Sequence, residues 1–140
     1  MKTEMKELNH LWTDIYYQMR YNHHDNITHQ SVRILQVIEK EKDVGVKKIA
    51  EKIQVSHNTA SEHIKRLMER KYVYKTRSKV DERKVILLIT EEGQKVLHQH
   101  SSLSEEKLQH VFEIMTDQEK EMVLTAFKLM KERIDHVYPI

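Results

Sequence analysis

Ser56-His57-Asn58-Thr59-Ala60-Ser61-Glu62-His63-Ile64-Lys65-Arg66-Leu67 opens the stretch whose reading decides the fold, and Val85-Ile86-Leu87-Leu88-Ile89-Thr90 closes it. Ala60, Ile64, Leu67 and Met68 recur at the spacing of one helix face. His57, Asn58, Ser61, Glu62 and Lys65 point away from that face. Ser56 stands where an N-cap is needed, since a hydroxyl there can accept from a free first-turn amide. A helix start lined by small polar side chains can approach base edges, and its free amides can meet a phosphate. Downstream, Tyr72-Val73-Tyr74 and residues 85–89 are rich in β-formers and predict a hairpin. Between 65 and 84, nine Lys or Arg stand against three acids, a net +6 in a chain whose total is +2. A solvated basic face would account for the charge alone. Charge, helix and hairpin in one continuous stretch point instead to a phosphate-binding surface.

Working outward, the flanks read as helices. Leu8, Leu11, Trp12, Ile15, Tyr16 and Met19 form a wide apolar stripe over about residues 3–21. A polar loop at 22–26 follows. Thr28 can cap a second helix carrying Val32, Leu35, Val37 and Ile38 and ending near Glu41. Asp43-Val44-Gly45 is a turn, and residues 46–53 give a short third helix with Ile49, Ala50 and Ile53 inward. Helix, turn, helix, then hairpin is a winged helix-turn-helix, here assigned to residues 28–90. Beyond Thr90 the chain returns to helix through Val96, Leu97, Leu108, Val111, Phe112 and Met115, with a break expected at 101–104. Thr116 and Glu119 have the spacing of a capping box. The last helix then shows Val123, Phe127, Met130, Ile134 and Val137 at alternating +4 and +3 steps, and Pro139 ends it. The fold class is therefore mainly α, with a two-stranded β wing. The single domain covers 1–140, with helices at 1–21 and 91–138 flanking the wing lobe. Those stripes exceed what a small winged helix can cover, so a second copy is expected on Leu8, Trp12, Val123, Phe127, Met130, Ile134 and Val137. The other reading is that they cap their own lobe.

Residues 81–93, Asp81-Glu82-Arg83-Lys84-Val85-Ile86-Leu87-Leu88-Ile89-Thr90-Glu91-Glu92-Gly93, resemble the wing signature of the MarR family of transcriptional regulators. Asp81, Arg83, Thr90 and Gly93 match its fixed positions, and the Asp-Glu-Arg-Lys form is similar to the Sar-type regulators of that superfamily. The resemblance extends over essentially the whole chain. It implies a cytoplasmic homodimer joined by its terminal helices and a repressor relieved by an effector, on a pseudo-palindromic double-stranded DNA site. It implies major-groove and phosphate contacts from Ser56, His57, Asn58, Thr59, Ser61, Lys65 and Arg66. The wing would contribute Lys75, Arg77, Lys79, Arg83 and Lys84, with Arg83 in the minor groove. Asp81 is expected to pair with Lys75 or Arg77 and hold the loop. Two departures stand out. Lys71 occupies a place usually held by Gly after the recognition helix, so a different turn is expected there. Glu62 stands where Arg is common, so base preferences do not carry over. His63 fills a slot the family gives to apolar residues and is expected to be half-buried.

Other functions find little support. No HExxH, Gly-rich phosphate loop or Gly-x-Ser-x-Gly occurs, so no enzyme and no cofactor is expected. The absence of cysteine excludes a disulfide, a thiolate metal site and a thiol switch. No apolar run is long enough to cross a membrane, and no signal peptide is expected at the N-terminus. Among ten histidines, His98, His100 and His110 with Glu106 are the metal-ligand candidates, joined at a distance by His23, His24 and His29. Glu106 and His110 share a helix face, but His98 and His100 cannot, so surface histidines are expected rather than a metal site. Trp12, Tyr16, Tyr17 and Tyr21 could line an effector pocket, although aromatics at helical spacing more often pack a core. The rival from another class is a winged-helix module that docks a protein through the same face. A zinc-responsive regulator of the same fold is the other alternative.

Overall fold

The computed structural model describes residues 2–22 and 27–140. The helices are α1 (Lys2–Met19), α2 (His29–Lys40), α3 (Val46–Ile53), α4 (His57–Glu69), α5 (Glu91–Ser101), α6 (Glu105–Glu113) and α7 (Asp117–Val137). The strands β1 (Val73–Arg77) and β2 (Val85–Ile89) lie between α4 and α5. His23 and His24 fall outside the described residues. No helix among the described residues is long and apolar enough to cross a membrane. The chain divides into two compact units, Asn22–Ser102 and the pairing of Met1–Tyr21 with Leu103–Ile140.

The first of these units is the winged helix. Thr28 caps α2 as expected, its Oγ1 accepting from the Ser31 amide at 3.1 Å. Ile34, Leu35 and Ile38 turn inward to meet Ile49, Ala50 and Ile53 of α3 and Ala60, Ile64 and Leu67 of α4. Ile34, which the sequence reading did not name, lies fully buried in this core, whereas Val32 and Val37 pack half-buried against it. Each fully buried Ile or Leu contributes about 1.5–3 kcal/mol, so this three-helix junction dominates the stability of the unit. Val44 is also buried, and its carbonyl accepts from the Leu87 amide at 2.8 Å, which binds the turn before α3 to the hairpin. Gly45 lies so close that a Cβ there would meet the Val85 carbonyl oxygen at 3.2 Å.

Helix α5 corrects the expected boundary. Val96 and Leu97 lie in the same core as α2–α4, so α5 belongs to the wing lobe and not with the terminal helices. The break anticipated at 101–104 is where the units divide: α5 stops at Ser101 and Ser104 caps α6.

The other unit joins α1, α6 and α7. Lys107 Nζ donates to the carbonyls of Gln18 (3.1 Å) and Arg20 (3.0 Å), satisfying acceptors that the end of α1 leaves open. The Ser104 amide donates to the Met19 carbonyl at 2.7 Å. The capping box of α7 forms: Glu119 N–H donates to Thr116 Oγ1 (3.1 Å), and Thr116 N–H to Glu119 Oε1 (2.8 Å). That amide holds the Glu119 carboxyl below the usual carboxylate range. No residue of α1, α6 or α7 is buried. Leu8, Leu11, Trp12 and Ile15 face Phe127, Met130 and Ile134 across an open cleft of about 480 Å³. Trp12 is 46% exposed and Phe127 54%.

Candidate nucleic-acid interface

Ser56 is the N-cap of α4, its Oγ accepting from the Thr59 amide at 3.1 Å and donating to Thr59 Oγ1 at 2.9 Å. Both hydroxyls are therefore committed to building the helix start. His57, Asn58, Thr59, Glu62, Lys65 and Arg66 are exposed, while Ser61 and His63 are half-buried, as expected for His63. The opposite face, Ala60, Ile64 and Leu67, is buried in the core. The core thus fixes which side chains the helix can offer to a groove.

The turn after α4 differs from expectation. Lys71 adopts the left-handed conformation, φ 64°, that glycine would supply. The Tyr72 amide donates to the Leu67 carbonyl (2.9 Å) and the Lys71 amide to the Met68 carbonyl (3.0 Å). That is the pattern of a Schellman motif, with buried Tyr72 and Leu67 as its apolar contact. The cost of a side chain at positive φ is offset by these bonds, and the turn is the one a glycine would make.

Strands β1 and β2 pair antiparallel from Val73↔Ile89 to Arg77↔Val85, so the wing begins later and runs further into the basic segment than Tyr72-Val73-Tyr74 suggested. Its tip is fixed by Ser78, which is 2% exposed. Ser78 Oγ donates to Asp43 Oδ1 (3.2 Å) and accepts from the amides of Val80 (3.2 Å) and Asp81 (3.3 Å). Asp81 does not reach Lys75 or Arg77. Its Oδ1 accepts from both the backbone amide (3.1 Å) and Nε (3.2 Å) of Arg83, two residues on, because the tight loop brings that neighbour closest. Arg77 donates instead to the Glu82 carbonyl at 3.1 Å. Arg83, with its side chain 92% exposed, is held by Nε while its terminal nitrogens face outward. Lys65, Arg66, Lys75, Lys79 and Lys84 are exposed and make no ion pair among the described residues.

The other half of the wing signature is internal. Thr90 caps α5 by accepting from the Gly93 amide (2.9 Å), while its hydroxyl donates to the Lys71 carbonyl (2.7 Å) and its amide to the Tyr72 carbonyl (2.9 Å). A Cβ on Gly93 would sit 2.2 Å from the Tyr72 carbonyl oxygen. Thr90 and Gly93 therefore lock the wing to the end of α4, and only Asp81 and Arg83 lie at the outer surface.

Sequence reasoning missed one part of this face. A cleft of about 770 Å³ lies between the starts of α3 and α4 and β2, lined by Lys42, Lys47, Lys48, His57 and Lys84 with Asp43 and Glu51. Lys48 is drawn to Glu41 at 3.4 Å, while Lys42 and Lys47 make no ion pair among the described residues. The signal was the lysine density from 40 to 52, outside the segment in which charge was counted. No group of three or more His, Cys, Asp or Glu able to hold an ion occurs among the described residues, which do not include His23 and His24. His98 instead lines a polar cleft with Gln36 and Glu39. His100 lies with it on α5, Glu106 and His110 lie on α6, and His29 opens α2. On α1, Trp12 stacks on Tyr16 with ring centroids 6.1 Å apart; just beyond its end, Arg20 covers Tyr17 and the Tyr21 hydroxyl accepts from the Glu105 amide at 3.4 Å.

A three-helix core, an outward polar helix and a two-stranded wing make this lobe a winged helix-turn-helix. The chain belongs to the transcriptional regulator SarA/Rot family, which matches residues 17–100. Similar curated proteins include the HTH-type transcriptional regulator SarZ of Staphylococcus haemolyticus, 24% identical over 81% of this chain and 76% of that protein. SarZ of Staphylococcus epidermidis is 28% identical over 56% of this chain, which spans about half (53%) of that relative. Among solved structures, S. aureus MepR bound to ethidium bromide has a TM-score of 0.61 at 18% identity, covering 95% of both chains. Streptococcus pneumoniae FabT in complex with DNA has a TM-score of 0.59 at 16% identity, covering 97% of this chain and 98% of that one. These two likenesses show a shared fold.

Proposed function

We propose that the protein regulates transcription as a homodimer that binds a pseudo-palindromic double-stranded DNA site and represses from it. The observation that carries the reading is the basic, outward surface shared by α4 and the wing. Asn58, Thr59, Ser61 and Lys65 lie opposite a buried face, and Lys75, Lys79, Arg83 and Lys84 stand on a hairpin whose tip is fixed from within. In this reading α4 enters the major groove, with His57 and Arg66 at its edges. The wing sets Arg83 in the minor groove, Arg77 braces the tip, and Lys42 and Lys47 add phosphate contacts. DNA in the FabT structure supports it. Uncovered apolar faces on α1 and α7 support a second copy on Leu8, Trp12, Val123, Phe127, Met130, Ile134 and Val137, since monomers avoid patches of that extent. Ethidium in the MepR structure supports a small-molecule effector that relieves repression. We assign no catalytic role.

A salt titration tests the DNA reading. Fluorescence anisotropy on a selected duplex and a random duplex should give log K falling linearly with log salt. Lys84→Ala should weaken both duplexes by similar factors and reduce the slope by about one. Asn58→Ala should weaken the selected duplex and leave the random one nearly unchanged. If neither variant alters DNA affinity, the winged helix docks a protein and the reading falls.

A further inference from the structure

On a face that meets a polyanion, Glu62 is the residue out of place. It is the only acid between Ser56 and Met68, and it is exposed. At about 100° per residue it lies roughly 140–200° round from each of Ala60, Ile64 and Leu67. It therefore stands near the middle of the outward face, flanked one turn back by Asn58 and one turn on by Lys65. Lys65 and Arg66, at i+3 and i+4, are placed to neutralise it, yet no ion pair joins them to it among the described residues. A free carboxylate carried into a groove loses its water and needs a donor there.

The major groove offers two donors, adenine N6 and cytosine N4. Adenine sets its N7 acceptor beside N6, so a carboxylate reaching for N6 also faces a lone pair. Cytosine has only a C–H beside N4, and a carboxylate can accept from it without that repulsion. We propose that Glu62 reads the N4 amino group of a cytosine in each operator half-site. This rests on the DNA-binding reading above and deepens it, making Glu62 a specificity residue that turns a charge liability into base selection. Lys65, on the same face, is placed to donate to the O6 or N7 of a neighbouring guanine.

The test is selection from a randomised duplex library by the wild-type protein and by Glu62→Ala and Glu62→Gln, followed by binding to the wild-type winner. Because Glu62 is exposed, circular dichroism should show all three folded alike. Wild type should fix a cytosine at one position of each half-site. Glu62→Ala should relax that position alone, and Glu62→Gln should move it toward adenine, whose N6 and N7 suit an amide. Replacing that cytosine by an analogue lacking the N4 amino group should weaken wild type about tenfold or more, and Glu62→Ala less than about twofold. Equal losses in both proteins, or identical sequence preferences for all three, would overturn the assignment while leaving DNA binding intact. A wild-type protein that enriches no sequence and binds no random duplex overturns both.

Discussion

Replacing Lys71 by glycine should stabilise the protein, although it deletes a side chain and a charge. Lys71 is held at φ 64°, where an L-residue pays about 1–2 kcal/mol in contact between its Cβ and the backbone. Glycine removes that term but widens the unfolded ensemble, which returns about 0.4–1 kcal/mol. The net expectation is a gain of about 0.5–1 kcal/mol, because the two Schellman hydrogen bonds and the bond from Thr90 use backbone atoms that glycine keeps. Lys71→Ala is the control. It removes the same charge and keeps the Cβ, so its stability should match wild type to within about 0.3 kcal/mol. Urea unfolding at one fixed protein concentration, followed by circular dichroism, measures all three. With a slope of about 1–3 kcal/mol per molar, the glycine midpoint should rise by roughly 0.2–1 M. A glycine variant that unfolds earlier than wild type, or at the same urea as the alanine variant, would refute the reasoning. It would mean that the turn relaxes into a different conformation in solution.

Gly93→Ala should do the reverse, costing about 3 kcal/mol, because the clash at 2.2 Å is with backbone that cannot swing aside; an unchanged thermal midpoint would contradict it. Asp81→Ala should weaken operator binding about three- to tenfold while changing stability by less than about 0.5 kcal/mol. Simple charge arithmetic predicts tighter binding, so a rise in affinity would show that Arg83 needs no brace. The double substitution Phe127→Glu and Met130→Glu should convert dimers to monomers by sedimentation at micromolar concentration; persistence of the dimer would place the interface elsewhere. Glu119 has a depressed carboxyl, so its share of the α7 cap is present above the ordinary carboxylate pKa and is lost as pH falls through the lower folded value. Glu119→Gln should flatten the loss of helicity, followed by circular dichroism, as pH falls below the usual carboxylate range.

Much of this architecture was legible because local chemistry and global pattern agree. Thr28, Ser56 and Thr116 each precede a periodic apolar run, and each caps the helix it announces. The buried face of α4 could be read residue by residue from its spacing. What escaped is what spacing cannot encode. Val96 and Leu97 reveal that α5 has an apolar face but not which core receives it, and that placed the lobe boundary too early. Lys71 defeats a propensity argument because three backbone hydrogen bonds converge on its turn. Ser78 looks like a loop hydroxyl, and its burial comes from Asp43, which is distant in sequence. Asp81 had several cations within plausible reach, and the curvature of a seven-residue connection between the strands selected Arg83. In the candidate site, the basic wing was plain from charge, whereas Lys42 and Lys47 reached it only through folding.

The division of labour inside the wing signature bears on how such a regulator can change its targets. Thr90 and Gly93 are spent on holding β2, α5 and the end of α4 together, so neither can drift without loosening the lobe. Asn58, Glu62 and Lys65 are exposed and make no side-chain hydrogen bond or ion pair with that scaffold among the described residues. After gene duplication, a copy could acquire a new operator through a handful of codons on one helix face and inherit its folding unaltered. The same separation makes α4 a site for grafting, where a borrowed outward face should bring its base preferences with it. The residues that make the family easy to find in a genome are thus the ones least informative about which promoter each member occupies.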